Sequence, residues 1–114
     1  MLTAEVRMRK SEEAAARCRT VSAVQKMLGG KYKIELLWYI GRRGVNRFGR
    51  LRRSVAGITE SALTKQLRAL EADGFIVRHD FYKVPPHVEY TLSPRGESFL
   101  AVLDCMKEWG ERWL

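Results

Sequence analysis

This sequence of 114 residues lacks the segments on which several large classes of protein depend. It has no apolar run close to the roughly 18 residues that a membrane-spanning helix needs. Its start, MLTAEVRMRK, lacks the apolar core of a secretory signal peptide, so we expect a cytoplasmic protein. Its two cysteines, Cys18 and Cys105, lie far apart and match no disulfide framework or metal motif.

Enzymatic motifs are also missing. The chain has no glycine-rich phosphate loop, no Ser/His/Asp or Cys/His grouping placed on turns, and no paired carboxylates in a plausible cleft. The histidines, His79 and His87, have only Asp80 and Glu89 near them in sequence, which is weak support for a metal site. We therefore expect no enzyme activity, no cofactor and no bound metal.

Acidic residues are fewer than basic residues in this chain. Asp and Glu number 13 against 21 Lys and Arg, which gives a net charge of +8 at neutral pH. This excess favours a polyanionic partner, and nucleic acid is the commonest one. The length corresponds to a single domain, and a chain that is 46% hydrophobic can form a globular core.

The clearest pattern is an amphipathic helix over residues 59–73. Thr59 can cap its first turn, and Gly74 can end it. At about 100° per residue, an apolar stripe of Leu63, Leu67 and Leu70 lies opposite a face of cations and hydroxyl groups. That face consists of Ser61, Thr64, Lys65 and Arg68. It suits a helix that lies in a DNA major groove, although a solvated outer face is the open alternative.

Three helices are expected before this one. Residues 1–19 offer little apolar stripe, so we predict a frayed N-terminal arm, helical on a partner subunit, ahead of a domain over 20–114. Residues 20–28 form the first helix of that domain, and KYKIELLWYIGRRG forms the second, with an apolar face of Ile34, Leu37, Trp38 and Ile40. The third helix, RFGRLRRSV, follows a turn or bridge at residues 45–47 and has a basic outer side. That side consists of Arg47, Arg50, Arg52 and Arg53.

After Gly74 the spacing of the apolar residues changes from that of a helix to that of strands. FIVRHDF and HVEYTL read as two strands, and YKVPP forms the tip between them because proline cannot donate to a strand ladder. Ser93 and Pro94 then start a terminal helix. Its apolar face is too wide for so small a core, so we predict that it meets a partner helix. The predicted interface residues are Phe99, Val102, Met106, Trp109 and Trp113.

The element order is that of an α+β, mainly helical fold, a winged helix-turn-helix with a two-stranded wing and terminal dimerisation helices. With GGKYK at 29–33, LRRS at 51–54, LEADG at 70–74 and VPPHVEYTL at 84–92, the chain resembles the HxlR family of winged-helix transcription regulators. The resemblance covers roughly residues 18–113. It implies a homodimer that binds double-stranded DNA at operator half-sites, with the terminal helices forming the dimer.

The sequence departs from the family pattern at three positions. In some members a cysteine followed by proline, just before the first helix, senses oxidants. Here Cys18, the candidate for redox sensing, is followed by Arg19 and lies about one residue early, which argues against that role. Tyr32 stands where the family usually has Trp. Gly49 lies inside the third helix, where glycine costs up to about 1 kcal/mol.

These patterns predict a DNA-binding surface. We expect phosphate contacts from the arginines at 47–53, with ion pairs to Glu71 and Asp73 as the alternative, and base or groove contacts from Thr59 and the polar face of helix 59–73. The wing adds Lys83 and His87, of which Lys83 carries the permanent charge. The predicted function is that of a sequence-specific transcription regulator, with repression as the expected mode of action. A winged-helix module for protein or RNA partners is the alternative, and an effector pocket near Trp38 stays open.

Overall fold

The helices and strands follow the predicted order. The computed structural model describes residues 3–114, apart from the side chains of residues 15–18. Within this range the elements are α1 (Ala4–Leu28), α2 (Lys33–Gly41), α3 (Phe48–Ser54), α4 (Glu60–Ala72), β1 (Ile76–Asp80), β2 (Val88–Leu92) and α5 (Pro94–Trp113). The strands β1 and β2 pair antiparallel, with Ile76 opposite Leu92 and Asp80 opposite Val88. This arrangement confirms the winged helix-turn-helix fold.

Helix α1 is longer than the sequence led us to expect. It begins at Ala4, where Thr3 Oγ1 accepts a hydrogen bond of 3.3 Å from Val6 N, so the first helix does not begin at residue 20 as predicted. The division into an arm over 1–19 and a domain over 20–114 stays a prediction. Most described side chains along it are exposed, and Met27 and Leu28 at its end reach the core. The helix therefore follows from the Ala, Arg and Glu content of this segment, which favours helix without any apolar stripe.

The core is built around α2 and α4. Leu36 and Leu37 of α2 are fully buried, as are Leu63 and Leu70 of α4. The predicted apolar face of α2 omitted Leu36 and included Trp38, which is only half-buried. The reason is that α2 packs against α3, β2 and α5, so its buried surface is wider than one stripe.

Both ends of α4 agree with the prediction. Thr59 Oγ1 accepts a hydrogen bond of 3.1 Å from Ala62 N at the start. Gly74 follows the last turn with a φ of 79°, a left-handed conformation that favours glycine, and Phe75 N donates to Leu70 O at 2.9 Å. These two caps set the length of the helix that carries the candidate DNA-reading residues.

Helix α5 is attached to the domain at its first and third turns. Ser93 Oγ accepts from Gly96 N at 3.1 Å and donates to Gly74 O at 2.5 Å, so one hydroxyl joins the start of α5 to the end of α4. Further along, the Arg42 side chain donates to the two carboxylate oxygens of Asp104 at 3.0 and 2.5 Å, and this pairing raises the pKa of Arg42. α5 is thereby held along its first half.

Replacing Ser93 by alanine should lower the free energy of unfolding by about 1–3 kcal/mol, because the buried Gly96 N–H loses its cap and the Gly74 carbonyl loses its donor. Urea denaturation measures this loss. Ser98→Ala is the matched control: its exposed hydroxyl donates only to Arg95 O, so a change within about 0.5 kcal/mol is expected. Equal losses in the two variants would contradict the linking role of Ser93.

Candidate nucleic-acid interface

Helix α4 separates its two faces as the sequence predicts. Leu63, Leu67 and Leu70 are buried in the core, at 0%, 2% and 0% exposure. Ser61, Lys65 and Arg68 are exposed, and Thr64 is half-buried at the flank. The cations therefore point away from the leucines, with no other described element covering them.

Hydroxyl groups at the start of α4 are partly engaged. Thr59 Oγ1 caps the helix and lies 3.3 Å from Ser61 Oγ. Thr64 Oγ1 donates to Glu60 O at 2.9 Å, so in this arrangement its remaining capacity is that of an acceptor. Toward a DNA base, Thr64 would therefore suit an amino group of adenine or cytosine, whereas Lys65 and Arg68 suit guanine acceptors.

The basic side of α3 is adjacent to α4. Arg50, Arg52 and Arg53 of α3 are exposed, as is Arg47, the residue just before the helix. Arg52 NH1 lies 3.6 Å from Glu60 Oε2, and no ion pair with Glu71 or Asp73 is recorded in the described part of the chain. An exposed pair of this kind is worth about 1 kcal/mol or less, so it leaves Arg52 free to turn toward a phosphate.

The wing presents one cation at its tip and one imidazole at its base. Lys83 is exposed, with Nζ 5.8 Å from the centre of the Phe81 ring. His87 is half-buried instead: its Nε2 lies 2.6 Å from Glu89 Oε2 and 3.3 Å from an Arg47 nitrogen. The imidazole is thus committed to contacts within the protein, and its contact with DNA stays a prediction.

A cleft of about 560 Å³ lies between α4 and the wing. Arg78 of β1 lines it together with Thr64 and Arg68, and Arg78 NH1 is 3.6 Å from Asp80 Oδ2. The sequence pattern predicted a strand at Arg78 and indicated no role for this residue. The available signal was a cation on the exposed side of the first wing strand, close after the recognition helix.

The apolar face of α5 is only partly covered within one chain. Leu103 is buried and Phe99 is half-buried, whereas four further side chains are exposed. These are Val102 (46%), Met106 (45%), Trp109 (60%) and Trp113 (69%). Their exposure agrees with a partner helix, which stays a prediction.

The two cysteines take no part in the candidate interface that the structure describes. A cysteine on the edge of an apolar helix face is most often buried, but Cys105 is an exposed free thiol on the side of α5 that faces away from the core. The Cys18 side chain is outside the described residues, so its redox role also stays a prediction.

The described residues form no metal cluster and no membrane-spanning helix, and a groove lies at Trp38, where the sequence left an effector pocket open. Among the described side chains, no three His, Cys, Asp or Glu gather closely enough to hold a metal ion, and His79 Nε2 instead lies 2.8 Å from Thr91 Oγ1. No described helix has the length and apolarity to cross a membrane. A groove of about 280 Å³ does lie at Trp38, between α2 and α5, with Glu35 and Lys107 as its charged side chains.

Comparison with known proteins gives a consistent picture. The model of the HxlR-like helix-turn-helix family matches residues 27–114. The chain is 43% identical over 91 residues to YtcD, an uncharacterised HTH-type transcriptional regulator of Bacillus subtilis, covering 80% of this chain and 71% of that protein. It is 45% identical over 85 residues to YybR of the same organism, also an uncharacterised HTH-type regulator, covering 75% and 67%.

Solved structures agree with these relatives. The crystal structure of YtcD matches with a TM-score of 0.75 at 42% identity, covering 81% of this chain and 93% of that one. The reduced form of the redox regulator HypR matches with a TM-score of 0.75 at 38% identity, covering 82% and 91%.

Proposed function

Since this chain belongs to the HxlR-like helix-turn-helix family of transcription regulators, we propose that it is a sequence-specific repressor that acts in the cytoplasm as a homodimer on operator half-sites. The observation that carries the proposal is the division of α4 into a leucine face turned inward and a cationic face turned outward. Such a helix can enter a major groove without losing any contact to its own core.

The proposed contacts follow from the positions of the elements. α4 reads base edges through Lys65 and Arg68, with Ser61 and Thr64 beside them. The arginines of α3 contact the phosphates that flank this groove, because in a helix-turn-helix the preceding helix crosses the backbone. Lys83 extends from the wing toward the neighbouring minor groove or its phosphates. The contacts of α3 set the position of the protein, and those of α4 supply the sequence preference.

A dimer presents two copies of this surface. Pairing through the exposed α5 stripe would place the two α4 helices in successive major grooves, roughly 34–36 Å apart. The operator would then be an inverted repeat with half-sites about one helical turn apart. Occupation of such a site within a promoter excludes RNA polymerase, which is repression by competition.

The binding should be strongly dependent on salt. If each protomer neutralises four phosphates, the logarithm of the association constant falls with the logarithm of the salt concentration with a slope of about −7 for the dimer. The slope is measured by fluorescence anisotropy. A labelled duplex from the DNA that flanks the gene is titrated with the protein at several salt concentrations. A duplex of the same length with scrambled half-sites is the control for sequence preference. Binding that does not change between low and moderate salt would refute the mechanism.

A further inference from the structure

Glu89 of β2 joins the wing to the segment that precedes α3. Its Oε1 accepts a hydrogen bond of 2.9 Å from Asn46 Nδ2, and its Oε2 lies 2.6 Å from His87 Nε2. The backbone supports the same junction, because Tyr90 N donates to Asn46 O at 2.9 Å. One half-buried carboxylate thus bridges two residues that are 41 positions apart in the chain, Asn46 and His87.

The short contact determines where the imidazole carries a proton. A carboxylate oxygen 2.6 Å from a ring nitrogen requires a proton between them, so His87 Nε2 donates to Glu89. That nitrogen then cannot accept from Arg47, whose guanidinium nitrogen lies 3.3 Å away and can only donate. The negative charge of Glu89 therefore offsets the repulsion between two N–H donors, the Arg47 guanidinium and His87 Nε2.

The contacts continue from this junction to the wing tip. The His87 ring packs edge-on against Phe81, with 4.6 Å between ring centres, and Phe81 N donates to His87 O at 2.9 Å. Lys83 Nζ in turn lies over the Phe81 ring, 5.8 Å from its centre. A continuous set of contacts runs from Asn46 through Glu89, His87 and Phe81 to Lys83.

We propose that Glu89 is a positioning residue for DNA binding, which clamps the wing to residues 45–47 and holds Lys83 and Arg47 at a fixed separation. This inference rests on the proposed function, because the two cations are taken to contact phosphates. Glu89 itself does not touch the DNA. Its contribution is to remove in advance the freedom that the wing would otherwise lose on binding.

The clamp predicts a change in DNA affinity that is opposite to the change expected from net charge alone. Glu89→Ala removes a negative charge from a DNA-binding protein, and this alone would strengthen binding to a polyanion. We expect instead that Glu89→Ala weakens operator binding about tenfold, because the one or two phosphate contacts of the wing are no longer held in place. The measurement is anisotropy with the operator duplex at fixed salt.

Three further variants separate clamping from other effects. Glu108→Ala on α5 makes the same charge change at an exposed site, and we expect its binding to be unchanged or tighter. Glu89→Gln keeps the shape of the side chain and the acceptor for Asn46, but its amide donates toward His87 Nε2, which must change tautomer to accept, so it should recover only part of the affinity. In a Lys83→Ala background the loss caused by Glu89→Ala should shrink, since both changes act through the wing.

Amide hydrogen exchange tests the clamp without any DNA. In Glu89→Ala we expect faster exchange at the amides of Phe81 and Tyr90, while the amide of Leu67 in α4 keeps its rate. Unchanged exchange at Phe81 and Tyr90 would overturn the clamp whatever the binding data show. Binding by Glu89→Ala as tight as by Glu108→Ala would overturn its role in DNA binding. If the unaltered protein binds no duplex, the proposed function fails, and the exchange experiment alone decides the clamp.

Discussion

The double variant Lys65→Ala/Arg68→Ala is expected to bind its operator about 100-fold more weakly than the unaltered protein, or worse. Each good contact of a cation to a guanine edge is worth about 1–3 kcal/mol, and both side chains project from the outward face of α4. Because both residues are exposed and alanine favours helix, the melting temperature should change little. Anisotropy with the operator and a scrambled duplex measures the loss, which should be larger for the operator.

The control for this variant is Arg9→Ala/Lys10→Ala, which removes the same two charges from the exposed part of α1. Its affinity should fall only slightly, through the lower net charge. A comparable loss in both double variants would mean that total charge, not the face of α4, determines binding. Full binding by Lys65→Ala/Arg68→Ala would contradict the proposed role of α4 and would favour a module that docks protein or RNA.

Replacing Trp109 and Trp113 together by serine is expected to convert a dimer into a monomer. Each indole ring can bury 150–250 Å² in an interface, and both rings are mostly exposed in the single chain. In a two-fold dimer the change removes four rings at once. Light scattering coupled to size exclusion should give twice the 13.2 kDa chain mass before the change and the chain mass after it.

Loss of the dimer should also reduce operator affinity by about 100-fold or more, because binding of the second half-site ceases to be an intramolecular step. Tyr82→Ser is the matched control for oligomeric state, since Tyr82 is a 91% exposed aromatic residue outside α5. It should leave the mass unchanged. A monomeric unaltered protein, or a tryptophan variant that stays dimeric, would show that the α5 stripe is not the dimer interface.

The elements that the sequence predicted well are those specified by neighbouring residues. The period of Leu63, Leu67 and Leu70 lies within two turns, and Thr59 and Gly74 mark its ends without reference to the rest of the chain. Ser93 followed by Pro94 marks the start of α5 in the same local way. The strand before the proline tip follows from its β-forming residues, and the strand after it follows from alternation.

The elements that it missed depend on what packs around them. Leu36 is fully buried because α2 is enclosed by three other elements, and one helical stripe cannot reveal this. α1 extends to Ala4 through intrinsic helix preference, in a segment where the absence of an apolar stripe suggested a frayed arm that is helical on a partner subunit.

The amino-acid order by itself therefore determined that this protein carries a helix with a cationic outer face, a hairpin and a terminal helix with excess apolar surface, because each pattern repeats within a few residues. Only the tertiary structure decided that Asn46, His87 and Glu89 meet at the base of the wing. Their meeting requires the register of β1 and β2 and the path of the chain before α3, and neither is encoded in any short segment.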